Sequence, residues 1–92
     1  MDVIVPPTTT EAVSPSVEVS TGERLIVSLH KLNIGHVTSG HKIQIQVGSE
    51  WEDHVPWPPT EPTVILYGPS EGSINIRVVK KATEQPIGVR VA

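Results

Sequence analysis

The strongest constraint on the fold is an alternation of apolar residues near the end of the sequence, between Gly72 and Ala92. Single residues separate the apolar positions in two runs: Ile74, Ile76 and Val78, and then Ile87, Val89 and Val91. A period of two is typical of a β-strand with one buried face. The polar stretch between the runs contains Pro86, where the chain can turn. We therefore predict a hairpin of two strands, whose apolar face the upstream sequence covers.

Four more segments have the composition of strands and are separated by turn residues. They are residues 16–20 (SVEVS), 24–32 (RLIVSLHKL), 42–47 (KIQIQV) and 63–67 (TVILY). The inward positions predicted for the second and third segments are Leu25, Val27 and Leu29, and Ile43, Ile45 and Val47. Six or seven short strands at this spacing predict an all-β chain, a small antiparallel β-sandwich of immunoglobulin-like size.

Composition supports an all-β fold and excludes several classes of function. The chain has nine Pro, seven Gly, no Phe and no Cys, so Val, Ile and Leu form the core and no disulfide stabilises it. A net charge of −3 argues against nucleic-acid binding. No apolar run approaches the ~20 residues of a membrane span, and the first residues lack the basic start of a secretory signal. We expect synthesis in a reducing cytoplasm, with no nucleic-acid or membrane partner.

The first sixteen residues are rich in Pro, Thr and Ser, and we interpret them as an extended arm before a sandwich domain of residues 17–92. Two interpretations stay open. The arm is either a disordered tail or a segment that becomes ordered on a neighbouring subunit. In the second case Val3, Ile4 and Val5 anchor it, followed by Pro6 and Pro7.

The segment between residues 48 and 62 contains both tryptophans, Trp51 and Trp57, together with several prolines. Proline lacks the N–H that a strand ladder needs, so this segment is not a central strand. At least one tryptophan could close an end of the core, because the core has no Phe. Alternatively, the tryptophans contact a partner. The acidic residues Glu50, Glu52, Asp53 and Glu61 would suit a basic partner surface.

Catalytic and metal-binding patterns are weak in this sequence. The four histidines, His30, His36, His41 and His54, match no compact metal motif, and we interpret them as solvated loop and outer-face residues. No nucleophile elbow or Gly-rich phosphate loop is present. We expect a protein that is not an enzyme, with no catalytic residues, no metal and no cofactor.

The segment after Gly72 resembles the closing motif of small β-sandwich proteins from the virions of tailed bacteriophages. In that motif a Gly precedes a strand resembling YRVVK, which an Ala/Thr turn connects to a final Val-Gly-Val strand. The corresponding positions here are Gly72, residues 76–80 (IRVVK), Ala82–Thr83 and residues 87–89 (IGV). This sequence departs from the motif at Asn75–Ile76, where an aromatic residue often precedes the Arg.

The resemblance implies a capsid decoration (cement) protein or another minor structural protein of a phage virion. Such a protein binds across coat-protein subunits and stabilises the shell, so its partners would be the major capsid protein and sister copies in a homo-oligomer. It would lie on the capsid surface after synthesis in the host cytoplasm. The arm would lie on a neighbouring subunit, and Trp51 and Trp57 would contact coat protein or a sister copy.

Two alternatives stay open. The first is a glycan- or peptide-binding module of a tail or fibre adhesin that uses the tryptophans. The second is a metal-carrying β-sandwich that uses the histidines.

Overall fold

The computed structural model describes residues 2–30, 40–57 and 63–92. These residues form nine strands, β1 (Asp2–Thr8), β2 (Ala12–Val13), β3 (Val17–Ser20), β4 (Arg24–His30), β5 (Lys42–Val47), β6 (Glu50–Pro56), β7 (Thr63–Tyr67), β8 (Ser73–Lys80) and β9 (Ile87–Val91). The described residues contain no helix, and so none that is long and apolar enough to cross a membrane.

The strands form two antiparallel sheets, which confirms the predicted small β-sandwich. In the first sheet, which we call sheet I, the strand order is β1-β9-β4-β7. In sheet II the order is β2-β8-β5-β6, and β3 pairs with β8 on the same side as β2. The inner faces of the two sheets share one apolar core.

The core contains most of the side chains that the alternation predicted to point inward. Fully buried positions occur in both sheets: Val27, Ile43, Ile76, Val78 and Val89. The prediction for Val47 is wrong, because its side chain is 51% exposed. It lies at the end of β5, beside the hairpin turn at Gly48.

The predicted C-terminal hairpin is also wrong, because its two strands lie in different sheets. β8 pairs with β3 and β5 in sheet II, whereas β9 pairs with β1 and β4 in sheet I. Residues 81–86 connect the sheets. Each strand has neighbours on both sides, so both are central strands. The polar stretch between the two apolar runs begins only after Lys80, which ends β8 and is fully buried.

The N-terminal segment belongs to the sandwich, which corrects the boundary expected at residue 16. Residues 2–8 form β1, which pairs with β9, and the side chain of Val5 is 3% exposed in the core. The two backbones approach closely at Gly88, where an added Cβ would lie 2.2 Å from the Val5 carbonyl oxygen. Only glycine fits beneath β1 at this position.

The chain then passes from sheet I to sheet II before residue 17. β2 pairs with β8 at Val13–Val79. Ser14 continues this contact, because its N–H donates to the Val78 carbonyl at 2.9 Å and its Oγ accepts from the Val78 N–H at 2.8 Å. Residues 2–16 therefore contribute to both sheets, and deleting them would remove part of the core.

Candidate binding face

The outer face of sheet II carries a continuous group of polar side chains around one tryptophan. Its members come from β5, β6 and β8 and point away from the core. We call them the Trp51 face: Lys42, Gln44, Gln46, Trp51, Asp53, Asn75 and Arg77. All of them are at least partly exposed to solvent.

At the centre of this face, Arg77 stacks on Trp51. The guanidinium carbon of Arg77 lies 4.6 Å from the centroid of the Trp51 ring, which is within the range of a cation–π interaction. Arg77 is on β8 and Trp51 is on β6, so the two side chains meet above β5, which separates their strands. The contact therefore restricts two side chains that are partly exposed to solvent.

A row of hydrogen bonds across three strands holds Arg77 in place. Its Nε donates to Gln44 Oε1 at 2.7 Å, and Gln44 Nε2 donates to Asp53 Oδ1 at 2.9 Å. Lys42 Nζ lies 3.2 Å from the other carboxylate oxygen of Asp53. The hydrogen bond from Gln44, and then that from Lys42, lowers the pKa of Asp53. The carboxylate therefore stays ionised as the acceptor of this row.

A second pair of amides extends the polar surface beside Trp51. Asn75 Nδ2 donates to Gln46 Oε1 at 3.3 Å, and Gln46 is paired with Trp51 in the sheet register. The Trp51 face thus combines an aromatic ring, a guanidinium and several amides on rigid strands. Such groups bind a partner by stacking and hydrogen bonding.

A separate polar cluster lies inside one end of the sandwich, around Lys80. The side chain of Lys80 is fully buried, and its Nζ donates to the carbonyls of Thr10 at 3.0 Å and Lys81 at 2.7 Å and to Thr83 Oγ1 at 3.2 Å. Burial lowers the pKa of Lys80 because it disfavours the charged ammonium. These bonds connect the β1–β2 linker to the end of β8.

His41 packs beside this cluster and is 2% exposed, so the prediction of a solvated histidine is wrong here. The N–H of Lys81 donates to His41 Nδ1 at 3.0 Å, which places the proton of the neutral ring on Nε2. Nε2 has no partner among the described residues. Burial, and then the charge of Lys80, lower the pKa of His41.

The structure separates the two tryptophans. Trp57 is 3% exposed and belongs to the core, as one of the two interpretations of the tryptophans predicted. Its side chain is therefore not available for the alternative, a contact with a partner. The cause is a bulge in β6: Val55 pairs with Ile43 and Asp53 pairs with Gln44, so β6 has one extra residue between them. The bulge reverses the alternation, and Trp51 faces outward while Trp57 faces inward.

A bulge also divides the predicted contact residues of β1. Val3 pairs with Arg90 on the outer side of sheet I and is 48% exposed, whereas Val5 pairs with Val89 and is buried. Ile4 between them packs partly against the core, and Pro6 and Pro7 are exposed. Val3 and Trp51 lie on different sheets, so the structure does not bring the predicted contact residues together.

The remaining candidates are spread over the molecule. Glu50, Glu52 and Asp53 are exposed on β6, as an acidic flank requires, while His36 and Glu61 lie outside the described residues. Within residues 2–30, 40–57 and 63–92, no three His, Asp or Glu side chains come together as metal ligands.

Sequence reasoning missed Gln44, Asn75 and Arg77 as site residues, although their outward positions in strands were readable from the alternation. No sequence signal shows that Arg77 would cross β5 to reach Trp51. Comparisons of the chain with protein-family models, curated proteins and solved structures found no match. We therefore infer function from the sequence and from the geometry of this face.

Proposed function

We propose that this chain is a non-enzymatic structural protein of a phage virion, a decoration or cement protein that binds coat protein through the Trp51 face. The observation that carries the proposal is the Trp51–Arg77 stack, held by Gln44 on a rigid sheet. Trp and Arg are the residues most enriched at the energetic centres of protein interfaces. The resemblance of residues 72–92 to virion sandwich proteins supplies the proposed location.

A protein partner suits this face better than a small ligand. Arg77 covers part of the Trp51 ring, and the surrounding amides and charges form a broad polar rim. Interfaces between proteins have this anatomy, with an aromatic or Arg centre and a polar border. Because this face carries the carboxylate of Asp53 as well as the cationic groups of Lys42 and Arg77, the complementary coat surface would carry both signs of charge.

The test is binding of the purified chain to empty shells assembled from the coat protein encoded in the same genome. We expect Trp51→Ala to abolish co-sedimentation with the shells while the circular dichroism spectrum is unchanged. Val47→Ser is the matched control, since Val47 is an exposed apolar residue of the same sheet outside the Trp51 face. Equal binding by wild type and Trp51→Ala would refute this use of the face.

The second candidate is a glycan-binding module, as in a tail or fibre adhesin. The observation in its favour is the row Lys42, Asp53, Gln44 and Arg77 beside an aromatic ring, since sugars bind by stacking and by hydrogen bonds to such groups. A glycan array with wild type and Trp51→Ala distinguishes the candidates. Binding of a defined oligosaccharide that Trp51→Ala loses, without binding to shells, would favour the adhesin.

A further inference from the structure

β7 differs from the other edge strands of the sandwich in its lack of protection against pairing. Edge strands are normally blocked by Pro, by charges, by bulges or by short length. β1 has Pro6–Pro7 and two register shifts, β6 has acids and a bulge, and the β2–β3 edge consists of two short strands interrupted by Pro15. β7 reads TVILY, without charge or Pro, and pairs with β4 without a register shift.

The hydrogen-bond pattern shows which groups of β7 point away from the sheet. Ile26 and Ala92 exchange both backbone hydrogen bonds, at 3.0 and 2.9 Å, so the backbone N–H and C=O of Ile26 point toward β9. This direction alternates along a strand, so the backbone N–H and C=O groups of Leu25 and Val27 point toward β7. There they pair with the backbone groups of Leu66 and Val64, respectively.

It follows that the N–H and C=O groups of Thr63, Ile65 and Tyr67 point toward the free side of β7. In the part of the chain that the structure describes, no strand pairs with this side. The side chains of Ile65 and Tyr67 are 45% and 70% exposed on the outer face of sheet I. β7 therefore presents apolar side chains together with outward-directed polar backbone groups.

We propose that β7 pairs with β7 of a second copy of this chain, antiparallel about a two-fold axis at Ile65. In this register Ile65 lies opposite its own equivalent, and Thr63 lies opposite the equivalent of Tyr67. All three pairs use the outward-directed groups, so each exchanges two hydrogen bonds. The result is one continuous sheet of eight strands, formed from sheet I of both copies.

The charge distribution favours a second copy as the occupant. A self-pairing edge brings the side chains of a strand next to those of the same strand in the second copy, so like charges along that strand repel each other. β7 carries no charge in a chain whose net charge is −3, and therefore meets itself without repulsion. Pairing of five residues buries less than the ~1,200 Å² of stable interfaces, so the dimer dissociates on dilution. This inference is independent of the proposed partner of the Trp51 face.

The test is sedimentation equilibrium of the full chain over about a hundredfold range of concentration. We expect wild type to be a reversible dimer and Ile65→Lys to weaken it at least about tenfold, since two like charges then lie directly opposite. Val47→Lys is the matched control, because Val47 is about as exposed as Ile65 but lies on another strand. A wild type that is monomeric up to millimolar concentration, or an Ile65→Lys variant that dimerises unchanged, would overturn the proposal.

Covalent trapping tests the register even for a dimer that dissociates readily. The chain has no cysteine, so Ile65→Cys introduces a single thiol at the proposed two-fold axis. Directly opposed residues of a hydrogen-bonded pair have Cα atoms about 5.5 Å apart, a separation that a disulfide spans. We expect mild oxidation to crosslink Ile65→Cys much faster than Val47→Cys. Equal rates for the two variants would contradict the pairing of β7 with itself.

Discussion

The imidazole of His41 meets the ring of Trp57 edge-on, with their centroids 6.2 Å apart, while the backbone N–H of Trp57 donates to the backbone carbonyl of His41 at 3.1 Å. The two residues precede β5 and follow β6, and thus close the same end of sheet II. A buried neutral histidine therefore supports the position of the largest core side chain.

The first prediction concerns pH and His41, whose pKa is lowered mainly by burial and further by the charge of Lys80. As the pH falls through about 6.5, the unfolded chain takes up a proton that the folded protein does not, so the free energy of unfolding decreases. We expect His41→Asn, which keeps an acceptor for the Lys81 N–H, to reduce this decrease. Urea unfolding at about pH 7.5 and about pH 5.5 measures it.

His54→Asn is the control, since His54 is exposed on β6. It shows whether replacing a histidine by asparagine elsewhere in sheet II changes the pH dependence in the same way. The interpretation fails if His41→Asn loses as much stability as wild type between these two pH values.

The second prediction compares the two tryptophans. Trp57→Ala removes a buried ring and should lower the free energy of unfolding by about 3–5 kcal/mol, a large part of the total for a small domain. Trp51→Ala removes a stacked ring from the surface and should cost no more than about 1 kcal/mol. Thermal and urea unfolding of both variants provide the comparison. Equal costs would mean that the bulge does not direct the two rings to opposite sides of sheet II.

The third prediction concerns Gly88 and the attachment of β1. A methyl group at this position would overlap the Val5 carbonyl, so Gly88→Ala should displace β1 and cost about 1–3 kcal/mol. Hydrogen exchange should accelerate at the β1 amides bonded to β9, with little change in β5. Gly22→Asn is the control, because Gly22 has a φ of 80° that Asn tolerates and no atom lies within 4 Å of an added Cβ. Unchanged protection of β1 in Gly88→Ala would contradict the close approach.

The fourth prediction uses the lowered pKa of Lys80. Between that value and the ordinary lysine pKa of about 10.4, the unfolded chain binds more protons than the folded protein, so stability rises with pH in this window. The stability of wild type relative to Lys80→Met should therefore increase between about pH 7 and about pH 10. Lys81→Met, at the neighbouring and partly exposed lysine that pairs with Glu11, is the matched control for the substitution. A wild-type advantage that is constant with pH would show that Lys80 keeps an ordinary pKa.

The sequence predicted six of the nine described strands, because burial on one face leaves a period of two, and it missed β1, β2 and β6, which lie at sheet edges. Leu25, Val27 and Leu29 alternate in the sequence and all three are buried in β4. Alternation does not identify which strand lies next to which. A connection of six residues, such as that between β8 and β9, can either close a hairpin or pass from one sheet to the other. Here it passes between the sheets, because β8 is a central strand of sheet II and β9 is a central strand of sheet I.

The sequence predicted only one of the two tryptophans correctly as an outward-facing residue, for a related reason. Trp51 and Trp57 are six residues apart, which places them on one face of a regular strand. One extra residue in β6 separates them, and a shift in β1 separates Val3 from Val5 in the same way. Such bulges depend on the pairing with the neighbouring strand, so no local sequence pattern predicts them. The Trp51–Arg77 contact likewise depends on β5 lying between β6 and β8.

The pairing of β1 with β9 has a consequence for how the protein is made. β9 lies between β1 and β4 in sheet I, and it leaves the ribosome after every other described strand. Sheet I cannot be completed until residues 87–91 have been synthesised, so β1 and β4 lack their common neighbour up to that point. Contacts this distant along the chain make folding slow. The native sheet I therefore forms only after β9 has left the ribosome.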